Sequence, residues 1–121
     1  MLKNSKYKNI ELLTFDCYGT LIDWEKGMND ALSNFVKKRH LSISIDDLSE
    51  RYIEIEFSLE KERYRKYREI LTLGAKRLLQ EQKIDVHLGD EKIFVRSIPS
   101  WPPFQETSIT LNLLKSLFEN F

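Results

Sequence analysis

A chain of 121 residues has material for one modest core and too little for two independent ones. Its 19 Lys and Arg balance 19 Asp and Glu, which argues against a generally basic nucleic-acid binder and against a polybasic membrane-surface protein. With 41% hydrophobic and 31% charged residues, the composition is that of a globular chain rather than a disordered one.

The single cysteine, Cys17, excludes an intrachain disulfide framework, and with only His40 and His87 beside it a zinc-type ligand set is not expected. No apolar run approaches the roughly 20 residues needed to span a bilayer, and the opening Met1 to Lys8 is polar. The expected setting is therefore soluble, reducing and cytoplasmic, with neither nucleic acid nor membrane as partner.

The first organised segment, Ile10-Glu11-Leu12-Leu13-Thr14-Phe15, is an apolar run broken only by Glu11 and stopped by Asp16-Cys17-Tyr18-Gly19-Thr20. This predicts a buried strand feeding a tight loop, with Gly19 supplying backbone angles other residues avoid. From Trp24 to about His40, Met28, Ala31, Leu32, Phe35 and Val36 recur at helical spacing, opposite Lys26, Asn29, Lys37 and Lys38. Ser44 or Asp46 is placed to cap a following helix, while Ile43 and Ile45, alternating with serines, also fit a locally extended stretch.

Leu48 to Gln82 contains no proline and one glycine, Gly74, and is expected to form one long helix or two joined near that glycine. The mixed charges from Glu60 to Glu69 read as a solvated helix face, with Glu62 and Lys66 at four-residue spacing. Asp85 to Asp90 reads as a connection before a short helix through Phe94. All three prolines fall in Ile98-Pro99-Ser100-Trp101-Pro102-Pro103-Phe104, a rigid crossing that excludes helix interior. A last amphipathic helix is expected over Glu106 to Phe121.

One constellation bears on chemistry: Leu13-Thr14-Phe15-Asp16-Cys17-Tyr18-Gly19-Thr20-Leu21-Ile22-Asp23. An aspartate at the carboxyl end of a buried strand, followed by a Gly-containing turn, sits where open α/β sheets place ligand-binding residues. Taken alone, Asp16 reads first as a capping or turn carboxylate, and only the full string shifts that reading. As a nucleophile it needs a desolvated pocket, oriented donors and a nearby cation, and backbone N–H groups of the following turn are candidates for part of that orientation.

The string Asp16-Cys17-Tyr18-Gly19-Thr20-Leu21 after Leu-Thr-Phe closely resembles the first motif of the haloacid dehalogenase superfamily, and in detail its 2-haloacid dehalogenase (type II) branch. Ile22-Asp23-Trp24-Glu25-Lys26-Gly27 is similar to the opening of that family's helical cap. Tyr64-Arg65-Lys66-Tyr67-Arg68-Glu69-Ile70-Leu71 resembles a cap-helix segment, and Trp101-Pro102-Pro103-Phe104 the return to the core. The resemblance implies an α/β, Rossmann-like hydrolase core with an inserted helical cap. Residues 1–23 would be first strand and nucleophile loop, 24–97 the cap, and 98–121 the return.

The resemblance also implies roles. Asp16 is the nucleophile that forms a covalent ester, and Thr20 orients it. Tyr18, Cys17, Trp24 and Arg51 are substrate-side residues, Arg51 as the cap arginine that draws out the halide. Read from the residues themselves, Cys17 is expected to be a small buried side chain, Arg51 fits an ordinary surface arginine, and Trp24 and Trp101 fit packing positions. Phosphatase members carry a second Asp two places after the nucleophile, where this chain has Tyr18. A phenol with a reference pKa of about 10 does not replace that acid, whereas halide departs without a proton. This favours carbon–halogen hydrolysis of a 2-haloacid, with no cofactor required, over a phosphatase using Mg2+ with Asp16 as a metal ligand.

The family's later motifs, a Ser/Thr segment, a lysine and a water-directing loop, have no counterpart in these residues. Lys115 precedes the position such a lysine would take. A lone strand would also leave its backbone groups unpaired unless another segment supplied them. The expectation is an inactive or weakly active amino-terminal fragment of a longer hydrolase. Self-association through cap helices is a further implication of the resemblance. A competing reading of another class is a non-catalytic helical binding module with Tyr64 to Ile70 as its contact surface, which Asp16→Asn should leave untouched.

Overall fold

The computed structural model describes residues 6–118. Among them the fold is all-α: α1 (Trp24–Lys38), α2 (Ile45–Glu62), α3 (Tyr67–Glu81), α4 (Ile93–Ser97) and α5 (Thr107–Leu117), with single 3-10 turns at Asp90–Lys92 and Ile98–Ser100. This overturns the expected α/β, Rossmann-like core. Ile10 to Phe15 forms no strand, and the extended pairing among the described residues amounts to two isolated bridges, Tyr18 with Ile22 and Ile22 with Pro103. A strand exists by virtue of a neighbouring ladder, so β-forming composition at residues 10–15 is not enough to make one.

The chain divides into two compact units, one formed by Glu25–Trp101 and the other by Met1–Trp24 with Pro102–Phe121. In the helical unit α3 is central, packing against α2, the Asp90 turn and α4. Its core combines Met28, Leu32 and Phe35 of α1, Leu48, Tyr52, Ile55 and Leu59 of α2, and Ile70, Leu71, Ala75, Leu78 and Leu79 of α3. Phe94 and Trp101 complete it, the Phe94 ring lying 4.4 Å from that of Tyr52 between centroids.

Helix ends follow local chemistry. Ser44 caps α2, its hydroxyl accepting from the Asp47 N–H at 3.3 Å. Beyond α1 the Leu41 N–H donates to the Val36 carbonyl with His40 at φ 53°, and beyond α3 the Ile84 N–H donates to Leu79 with Lys83 at φ 56°. Both are Schellman-type stops, in which a left-handed residue turns the chain back to satisfy terminal carbonyls.

The continuous reading from Leu48 to Gln82 is corrected to two helices, and the break falls at residues 63–66 rather than at Gly74. The Arg65 guanidinium, with its side chain only 9% exposed, donates to the Leu59 carbonyl at 2.8 Å and to Glu62 at 2.9 Å, satisfying the end of α2. The Glu69 carboxylate accepts the Lys66 N–H at 3.0 Å and opens α3. Gly74 lies mid-helix because the Tyr52 ring occupies the space a side chain would take. A Cβ there would sit 2.6 Å from Tyr52 Cε2.

Ion pairs bind the two helices at the surface: Arg51 to Glu81 at 2.7 Å and Arg77 to Glu62 at 3.2 Å. These guanidinium groups hold the Glu62 and Glu81 carboxyls below the usual carboxylate range. The Glu56 carboxyl is pushed up to about 7, by burial first and then by the neighbouring Glu60 charge.

Candidate active site

The Asp16 loop is wound around one carbonyl. The Cys17 oxygen accepts N–H groups of Thr20 at 3.1 Å, Leu21 at 2.8 Å and Ile22 at 3.0 Å, and the Gly19 N–H donates to the Ile22 carbonyl at 2.9 Å. So tight a loop requires Gly19 at φ 89°, in the region L side chains avoid. The Trp24 indole packs on that glycine, with Nε1 3.3 Å from where a Cβ would stand.

Residues 102–107 fasten the loop from behind. The Asp23 N–H donates to the Pro102 carbonyl at 2.8 Å, the Phe104 N–H to the Leu21 carbonyl at 3.2 Å, and the Thr107 hydroxyl to the same Leu21 oxygen at 2.8 Å. Proline suits position 102 because the position is used only as an acceptor there.

The arrangement brings Asp16 and Thr20 together, the Thr20 hydroxyl donating to Asp16 Oδ2 at 2.8 Å. One oxygen is thus oriented by a short local bond. The turn N–H groups of Thr20, Leu21 and Ile22, expected to help orient Asp16, instead donate to the Cys17 carbonyl. Asp16 and Tyr18 are exposed, and Cys17 is exposed too, which corrects its expected burial. A backbone that curls around the Cys17 carbonyl directs the thiol outward.

Trp24 is half-buried at the start of α1, and its place is against Gly19. Trp101 belongs to the helical unit, packed on Gly27 and donating from Nε1 to Ser97 Oγ at 2.8 Å. Arg51 also belongs to the helical unit. Its guanidinium is engaged by Glu81 at 2.7 Å on both nitrogens it offers and by Glu54 at 2.6 Å, which raises its pKa further above the ordinary arginine value. An arginine so held is a surface tie between helices. Among the described residues no three His, Cys, Asp or Glu side chains converge in a cation-binding group.

Neither a protein-family model nor a curated protein matches the sequence. Among the described residues no helix is long and apolar enough to cross a membrane.

The sequence reading missed a groove of about 730 Å³ in the helical unit, bordered by Lys38, Arg96 and the Gly89 turn. Those residues are scattered over three elements and each looks like ordinary helix-surface or turn chemistry. Only the glycine before Asp90 carried a local signal.

Proposed function

We propose that the chain supplies the nucleophile loop of a haloacid dehalogenase-like hydrolase, acting on the carbon–halogen bond of a 2-haloacid in the cytoplasm. The observation that carries the reading is the Thr20–Asp16 hydrogen bond in a loop whose sequence resembles the family's first motif. Holding one carboxylate oxygen leaves the other free to approach an electrophilic carbon along a fixed line. The free Asp16 oxygen attacks C2 of the 2-haloacid, the new C–O bond forms as the carbon–halogen bond breaks, and halide leaves with the electron pair. Water adding to the ester carbonyl then returns the Asp16 carboxylate and releases a 2-hydroxy acid.

The first half of this sequence falls to Asp16 and Thr20, and it is slow in this exposed loop, which among the described residues has neither the enclosing pocket nor the nearby cation that such an attack draws on. The second half draws, in the resembled family, on water-directing groups without counterparts in these residues. The expected product is therefore an ester that accumulates on the chain, with no more than one halide released per molecule.

The exposed Cys17 shapes the test, because a thiolate is itself alkylated by 2-haloacids. A Cys17→Ser variant is incubated with 2-bromopropionate and examined by intact mass and peptide mapping. The expected result is a propionate ester on Asp16 that is absent from the Cys17→Ser, Asp16→Asn double variant. No adduct, or an adduct that survives the second substitution, sinks the proposal. Release of inorganic phosphate from a phosphomonoester that requires both Mg2+ and Asp16 would show that the weight placed on Tyr18 is wrong.

A further inference from the structure

We propose that the groove in the helical unit binds a small organic oxyanion, a carboxylate or phosphate ester on a compact apolar body, gripped by Lys38 and Arg96. The groove holds about 730 Å³, the size of a small-molecule site, and is built wholly from residues of Glu25–Trp101. This proposal stands independently of the chemistry assigned to Asp16.

Charge bookkeeping across the groove singles out those two side chains. Arg39 is neutralised by its ion pair with Asp90, and Asp30 by Lys26 at 3.2 Å. Lys38 and Arg96 line the same groove and have no ion-pair partner among the described residues. The groove thus carries two uncompensated positive charges in a chain whose formal net charge is +0. The same lining includes Phe35 and Ile93, which offer an apolar surface, and Asn34 and Ser100, which add hydrogen-bonding groups.

The wall that carries Arg96 is set in advance. Arg39 donates to the Asp85 carbonyl at 3.3 Å as well as pairing with Asp90, and the Asp90 carboxylate accepts the His87 N–H at 2.7 Å. That braces the turn containing Gly89, which has φ 91°. The Arg96 guanidinium lies against this glycine: a Cβ at position 89 would stand 3.2 Å from Nη1 and 3.3 Å from Nη2. A guanidinium lying against a braced turn presents a planar fork that matches the oxygen spacing of carboxylate and phosphate.

The test is an amide-resolved NMR titration of the full chain with phenyl phosphate and with benzoate, inorganic phosphate serving as the charge-only comparison. Saturable shifts should cluster at Gly89, at residues 93–97 and at residues 34–38. The tighter of the two organic probes assigns the phosphate-ester or the carboxylate class. Arg96→Gln and Lys38→Gln, at exposed positions, should each weaken binding about tenfold or more while the circular dichroism spectrum stays unchanged. Gly89→Ala should weaken it several-fold by displacing the guanidinium. Absence of saturable shifts with both organic probes overturns the proposal. So does unchanged affinity in both Gln variants, or inorganic phosphate binding as tightly as phenyl phosphate.

Discussion

The two units of this chain are stabilised by different means. Every buried hydrophobic side chain among the described residues belongs to the helical unit, where aromatic and aliphatic groups from α1 to α4 exclude water from one core. In the small unit the buried side chain is Thr107, and it is there because its hydroxyl reaches the Leu21 carbonyl. The described apolar groups of that unit are at best half-buried, as Leu13, Leu114 and Leu117 are, and others face outward: Leu12 is 77% exposed, Ile109 71% and Leu113 58%. A net hydrogen bond contributes about 1 kcal/mol, whereas each fully buried Leu, Ile or Phe contributes about 1.5–3 kcal/mol. The unit that carries Asp16 is therefore the less stable one, which is where local opening concentrates.

That contrast is most exposed to refutation at Tyr52. Tyr52→Ala removes a ring with no exposed surface, packed on Phe94 and Gly74, and should cost about 3–5 kcal/mol in urea unfolding. A loss under 1 kcal/mol would mean that the helical unit is not cored as described. Gly27→Ala comes next. Its Cβ would fall 2.3 Å from Trp101 Cδ1, so the indole must move and give up its bond to Ser97, at a cost of about 1–3 kcal/mol.

A pH titration of stability sharpens the contrast, because the shifted carboxyls all lie in the helical unit. Glu56 has its folded pKa raised to about 7, so between the unfolded carboxylate pKa and that value the folded state keeps a proton the unfolded state has lost. Stability contributed by this group is present at low pH and falls as pH rises toward 7. The fall should be about 2 kcal/mol or less, given partial solvent access, and Glu56→Gln should abolish it. Glu62 and Glu81 act in the opposite sense. Their pKa values are lowered by Arg77, Arg65 and Arg51, so their contribution is present above the unfolded pKa and is lost as pH falls through the folded one. The smallest effect belongs to the small unit: Leu113→Ala, at an exposed site, should change stability by less than about 0.5 kcal/mol.

Sequence patterning read best where a helix is decided by its own side chains. The apolar stripe of α1 is local and was legible, and the cap of α2 was narrowed to Ser44 or Asp46, of which the structure uses Ser44. The break between α2 and α3 was not, because charges from Glu60 to Glu69 keep helical spacing while Arg65 uses one of them to terminate a helix. Gly74 misled for another reason: its cause is Tyr52, twenty-two positions away in sequence. Residues 10–15 have the composition of a strand, but pairing is decided by what lies alongside. At the candidate site the Asp16–Thr20 pair was implied by the motif resemblance and not by spacing, whereas the outward thiol of Cys17 depends on how the loop curls.

The fastening of Leu21 and Asp23 to Pro102 and Phe104 means that the chain leaves for the helical unit and returns from it through a single doorway. Closing a loop costs only about 0.6 kcal/mol more for each doubling of its length. A doorway of that kind is nearly indifferent to how much protein hangs beyond it. The backbone bonds that shape the Asp16 loop are made by residues 17–23 and 102–104 and use none of residues 25–101.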